Sequence, residues 1–248
     1  MATIYCREHK FESIQAVLFD KDGTLANVEA YLWKLGMARS QAVPNQTPAF
    51  YANLLATFGL TERSIDPAGL IAVASRQEDK IAAAACLAAT GKGWVEACAI
   101  AQTAFDQADF ALAPKVEKTP PLEGAIPMLS QLSRAGIKLG IVSSDLHSEV
   151  AAFIKFYQLP GIDWYCGASQ NIPPKTHPGF LKFACQSLSV LSTKTLVIGD
   201  SASDLSLAKQ GAADFLGMVG GWTESPMIAP SVKTFTHLSQ IILRSPMD

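Results

Sequence analysis

Four short stretches place carboxylates, hydroxyls and an ammonium where apolar runs end. In LFDKDGTL, Asp20 and Asp22 lie two residues apart beside Gly23 and Thr24. On an extended strand end that spacing turns both carboxylates the same way and sends Lys21 the other. Crowded carboxylates repel, and each raises the other's pKa unless a cation lies between them. Gly23 permits a sharp turn away from the strand and leaves nearby backbone N–H groups open to an anion. Taken alone, a solvated Asp-Gly turn competes with that reading.

The pair has company. Asp200 and Asp204 stand in VIGDSASDL, again where an apolar run ends in a glycine. Asp200 is expected to face the same crevice as Asp20 and Asp22. Asp204, about one turn into the next helix, either binds metal or steadies the ligands, although helix capping alone would account for it. Ser143 closes the run LGIV and Ser144 opens the next turn; both offer hydroxyls to a phosphate, with helix capping an equal alternative. Lys175, in the proline-stiffened loop NIPPKTHPGF, is a compact charge able to hold a phosphoryl group, though a lone loop lysine is ordinarily solvated. Carboxylates without a histidine or cysteine cluster suit a hard, oxygen-seeking ion such as Mg²⁺.

These residues need a scaffold that brings distant strand ends together. The runs at 16–20, 137–145 and 195–200 read as buried strands of a parallel sheet, with shorter ones at 162–166 and 214–219. Between them lie helical stripes: Ala125 to Arg134, then Val150, Phe153, Ile154 and Tyr157, then Leu181, Ala184, Cys185 and Leu188. Alternating strands and helices predict a doubly wound, Rossmann-like α/β core. The segment 26–118 shows only helical stripes. They run through Val28, Tyr31, Leu32 and Leu35; Tyr51, Leu54, Leu55 and Phe58; Ile81, Ala84, Ala85 and Ala88; and Trp94, Cys98, Ala101, Phe105 and Ala108. The expected organisation is therefore a core of 1–25 and 119–248 with an inserted all-helical cap at 26–118.

Composition narrows the function classes. A chain of 248 residues with net charge −2 and no basic run gives no electrostatic case for nucleic acid or an anionic membrane. Its longest apolar stretch, 81–89, falls far short of a bilayer span, and the N-terminus lacks the apolar segment of a secretory signal. Five scattered cysteines without CxxC spacing suggest reduced thiols and a cytoplasmic protein.

DKDGTL at 20–25, IVSS at 141–144, Lys175 in PPKTHP and GDSASD at 199–204 together resemble the four ordered motifs of the haloacid-dehalogenase superfamily. The helical insert after the first motif is similar to the cap of its phosphoglycolate phosphatases and β-phosphoglucomutases. The resemblance implies roles by position: Asp20 as nucleophile, Asp22 as general acid and base, and Ser143 and Lys175 on the phosphoryl oxygens. Mg²⁺ would be held by Asp20, Asp200 and the backbone carbonyl of Asp22, with Asp204 nearby. Lys21 departs from the apolar or aromatic residue of many relatives, and is expected to point away from the chemistry. DKDGT also looks like the DKTGT of P-type ATPases, but Asp22 and the lack of membrane spans argue against a pump. Asp22 likewise argues against a dehalogenase. The implied activity is a phosphatase for a small phosphorylated metabolite, phosphoglycolate being the first candidate, in a monomer or homodimer. The alternatives are a phosphomutase and a non-catalytic binding protein that keeps the fold. Arg76, Lys80 and Lys92 are candidates to contact an acidic substrate, ordinary solvated charges being the commoner role.

Overall fold

The computed structural model describes residues 2–44, 46–169 and 171–244. The chain opens with strands β1 (Ala2–Cys6), β2 (His9–Ile14) and β3 (Ala16–Phe19). Helices α1 (Glu29–Ala42), α2 (Pro48–Phe58), α3 (Leu70–Val73), α4 (Arg76–Ala88) and α5 (Trp94–Leu112) follow. Then come α6 (Ala125–Arg134), β4 (Lys138–Leu146), α7 (His147–Phe156), β5 (Ile162–Ala168) and α8 (Phe180–Ser187). The chain continues through β6 (Thr195–Gly199), α9 (Ala202–Ala208), β7 (Asp214–Met218), β8 (Thr234–Phe235) and β9 (Ile241–Arg244).

Six strands form a parallel sheet in the order β5-β4-β3-β6-β7-β8. This is a doubly wound α/β core with an all-helical insertion. Every residue of β3 and β6 is buried, as apolar runs covered on both faces require. Leu18, Val197, Leu181, Ala184 and Phe215 belong to one continuous apolar cluster. Burying each large side chain of this kind contributes roughly 1.5–3 kcal/mol. From β3 the chain builds outward through β4 and β5, then returns to place β6 on the other side of β3. The order reverses at β3/β6, and crevices of that kind at the carboxyl ends of strands are where open α/β sheets bind ligands.

A second sheet was not anticipated. β2, β1 and β9 pair antiparallel in that order, burying Ile4, Cys6, Phe11 and Ile14.

Val28–Thr119 forms one compact unit and the segments on either side of it form the other. The two connecting segments run side by side: Asn27 N–H donates to Pro120 O at 2.8 Å and Leu122 N–H to Leu25 O at 2.7 Å. Within the helical unit, Thr47 caps α2, Pro48 occupies its first turn, and Gly59 ends it in the left-handed conformation at φ +75°. Ser75 and Glu78 cap α4 reciprocally.

The buried stripe of α4 is rotated from the expected one, whereas that of α5 largely keeps its place. Asp79, Ala83, Ala84 and Leu87 face inward on α4, whereas Ile81 is 46% exposed; on α5 Ala101, Phe105 and Ala108 are buried as expected, together with Ala97 and Ala104, while Trp94 is exposed. The reason is ionic. Buried Arg39 reaches Asp79 at 2.8 Å and Asp109 at 2.9 Å, and its guanidinium lies 4.5 Å from the Phe105 ring centroid. A buried guanidinium needs its carboxylate on the inner face, and buried Asp79 fixes the rotation of α4. All five cysteines are free thiols. Among the described residues no helix is long and apolar enough to cross a membrane.

Candidate active site

Asp20 follows the last residue of β3 and Asp200 the last residue of β6, so the strand reversal sets their carboxylates side by side. Asp204 lies in the first turn of α9, whose N-cap is Ser201. Its Oδ2 accepts hydrogen bonds from Ser201 N (3.1 Å) and Ser201 Oγ (2.5 Å), leaving Oδ1 for another partner. Gly199 makes this fold-back possible, because a Cβ there would stand 2.2 Å from Asp204 Cγ. One carboxylate oxygen from each of Asp20, Asp200 and Asp204 falls within 4.8 Å of the others, and all three residues are buried.

Lys175 reaches this group from its loop. Its Nζ donates to Asp20 Oδ1 and to Asp204 Oδ1, both at 2.7 Å, and the side chain is buried rather than solvated. Burial opposes its charge, but the two carboxylates outweigh burial and raise its pKa. Gln210 Nε2 holds the loop by donating to Lys175 O at 3.1 Å.

One ammonium against three buried carboxylates leaves the cluster short of positive charge. Burial pushes the Asp20 carboxyl well above the usual range; Lys175 pulls it down, while Asp204 and Asp200 add to the rise. Asp200 is pushed up to about 7, by burial first and Asp204 second, against the opposing pull of Trp222, Lys175 and Thr24. Three carboxylate ligands, with Asp20 and Asp200 both pushed up by burial, fit a hard divalent cation, whose charge would favour the ionised forms of those two. Asp20, Asp200 and Asp204 are the residues that would hold Mg²⁺.

The Asp200 carboxylate is oriented from two directions. Trp222 Nε1 donates to Oδ2 at 2.7 Å and Thr24 Oγ1 to Oδ1 at 3.0 Å. Gly23, at φ +77°, gives this arrangement room, since a Cβ would stand 2.3 Å from Trp222 Nε1 and 2.4 Å from Asp200 Oδ2. Trp222 was not foreseen. Its sequence signal is a Gly-Gly-Trp stretch shortly after β7, at the same carboxyl edge of the sheet.

Two expectations need correction. Lys21 does not point away: its Nζ contacts Asp22 Oδ1 and pairs with Asp145 Oδ2 at 2.8 Å, and the residue is only 1% exposed. Strand alternation fails here because β3 ends at Phe19. Beyond it the Lys21 carbonyl accepts from Leu25 N and Ala26 N at 2.9 and 2.8 Å, so the chain turns at once. The Asp22 carboxylate accordingly stands with Lys21, outside the group formed by Asp20, Asp200 and Asp204. Second, Ser144 does not open a turn, because β4 continues to Leu146. Ser143 is buried near the carboxyl end of β4 and its Oγ accepts from Asp145 N at 3.1 Å; it is not the cap of α7, whose N-cap is Leu146. Asp145 carries the same signal as Asp20 and Asp200, an acidic residue closing an apolar run.

The three cap charges considered as substrate contacts have partners in their own unit. Arg76 pairs with Asp106 and Asp109, Lys80 donates to Gln102 Oε1 at 2.6 Å, and Lys92 pairs with Glu96 at 2.8 Å.

A family model described as haloacid dehalogenase-like hydrolase matches residues 14–211. The chain belongs to that family. Solved structures share its fold at low identity. One is described as a predicted phosphoglycolate phosphatase from Haemophilus somnus 129PT, at 17% identity and TM-score 0.66, covering 92% of this chain and 96% of its own. Another, CbbY from Rhodobacter sphaeroides in complex with phosphate, has 18% identity and TM-score 0.55, covering 91% and 95%. A HAD-superfamily hydrolase from Geobacter sulfurreducens PCA has 19% identity and TM-score 0.53, covering 91% and 93%. No curated protein matches the chain in sequence.

Proposed function

We propose that this hydrolase is a Mg²⁺-dependent phosphatase for a small phosphorylated metabolite, acting through an aspartyl-phosphate on Asp20. The observation that carries the reading is the convergence of Asp20, Asp200 and Asp204, with Lys175 bound to two of them at 2.7 Å. Such a site suits a dianionic ester: Lys175 offers a fixed positive charge, and the Ser143 hydroxyl is assigned as a further donor to the phosphoryl oxygens. Bound Mg²⁺ would supply the remaining neutralisation of the phosphoryl oxygens.

In the first step an Asp20 oxygen attacks phosphorus in line, forming the acyl-phosphate bond as the bond to the leaving oxygen breaks. Asp22, as the acid, delivers its proton to that oxygen and the alcohol departs. In the second step Asp22, now the carboxylate, takes a proton from water. The water oxygen attacks phosphorus, and Asp20 is regenerated as phosphate leaves. The Asp22 backbone carbonyl is assigned to the metal in this reading, consistent with a side chain that stands apart from the three carboxylates.

Phosphoglycolate is the first substrate to try, a choice that rests on likeness of fold alone. The test is a panel of phosphorylated metabolites with Mg²⁺, scored by released phosphate and repeated with Asp20→Asn. The expected result is release from at least one compound, abolished by the substitution and by chelation of the metal. Isomerisation of a hexose phosphate without net phosphate release would replace this reading with a phosphomutase.

A further inference from the structure

Lys21 is the least expected charge in the sheet unit. Its side chain is 2% exposed, its ammonium is 5.3 Å from the Phe153 ring centroid, and its ionic partners are Asp22 and Asp145. A lysine loses more by such burial than an apolar residue of similar volume, so the site gives no packing reason for the charge. What the ammonium does is join two strand ends. Asp22 belongs to the turn after β3, and Asp145 lies near the end of the neighbouring β4. Both carboxylates are partly open, at 14% and 19% side-chain exposure, while the ammonium beneath them is closed off.

We infer that Lys21 is a positioning residue that anchors the Asp22 side chain to Asp145, fixing the direction in which Asp22 presents its proton to the leaving oxygen. The inference rests on the phosphatase reading, in which Asp22 is the acid. A carboxyl on a turn is directed by rotation about two side-chain bonds, which an ion pair restricts. Proton transfer requires it within hydrogen-bond reach of one oxygen, so holding it there raises the rate of the step that needs the proton. Lys21 does not touch the substrate. Its effect must therefore scale with how much the leaving oxygen needs protonating.

Two substrates of nearly equal shape separate this from a general disturbance. The leaving oxygen of phenyl phosphate is the more basic and departs as phenol with help from the acid; that of 4-nitrophenyl phosphate can depart as a stabilised anion and needs the proton far less. The quantity compared is kcat/KM, which covers steps only to the first irreversible one, so the later role of Asp22 towards water does not enter. Lys21→Met should lower kcat/KM for phenyl phosphate on the order of 10²-fold and for 4-nitrophenyl phosphate by less than about tenfold, since general-acid catalysis is worth ~10²–10⁴. Asp145→Asn, which keeps Lys21 but removes its second anchor, should show the same ordering with smaller losses and decides the matter if the first variant does not fold. Equal losses on both esters, or none, overturn the inference while leaving the phosphatase reading intact. No phosphate release from either ester by the unmutated protein sinks both.

Discussion

Replacing Lys175 with methionine removes the only ammonium bonded to Asp20 and Asp204 among the described residues, at nearly unchanged volume. Each contact spans 2.7 Å. At an effective dielectric constant of ~20, charges at that distance attract by about 6 kcal/mol. Most of this offsets the cost of desolvating three charges. What remains on breaking a buried pair is typically about 3–5 kcal/mol, because the stranded carboxylates stay buried without a counter-charge. Urea unfolding of the metal-free protein at pH 7.5 should therefore show Lys175→Met less stable by that amount, with a thermal midpoint lower by roughly 6–20 °C. A cycle with Asp204→Asn should give a coupling energy above about 1 kcal/mol, since the two residues share one contact. Phosphate release should fall by ~10²–10³ in kcat, the usual loss when a donor to the reacting oxygens is removed. A stability change below about 1 kcal/mol would refute the reasoning, because the buried ammonium would then not be offsetting the carboxylates.

Trp222→Phe keeps the ring and deletes the donor to Asp200 Oδ2. Titration calorimetry should show Mg²⁺ binding weakened about 10–100-fold with unchanged circular dichroism; unaltered or tighter binding would mean the indole does not orient the ligand. In the helical unit, burial pushes Asp79 up to about 7 from 3.8, with Glu78 and Asp109 adding to the rise and Arg39 opposing it. A carboxyl whose folded value is raised stabilises the fold fully below its unfolded pKa and loses that contribution as pH rises through about 7. Thermal unfolding at pH 5.5 and pH 8 should show Asp79→Asn gaining several degrees on the unmutated protein as pH rises; a difference independent of pH would contradict this.

The sheet core was legible because its strands are apolar runs closed by Asp, Ser or Gly, and two of those closing residues, Asp20 and Asp200, converge in the candidate site. β3, β4 and β6 can be placed from sequence without knowing their partners, since a strand buried on both faces carries its own signature. The β2-β1-β9 sheet carries none. Its hairpin turns at Arg7 with φ +54° instead of at Gly or Asn, and Ser13 at φ +59° breaks the alternation between Phe11 and Ile14. Its third strand comes from the far end of the chain. Similarly, Ile81 loses its expected inward place because Arg39, on another helix, needs Asp79 beside it. Nothing local to α4 announces that. The distant partners of Lys21 and Trp222 stayed hidden for the same reason: Asp145 and Asp200 stand 124 and 22 positions away from them.

The most direct measurement is to quench the reaction with acid during turnover of a hydrolysed ester and map the phosphorylated residue by mass spectrometry. The account predicts one modified site, Asp20, formed only when Mg²⁺ is present and lost in Asp200→Asn. A phosphoryl group on any other side chain, or on Asp20 regardless of the metal, would contradict it.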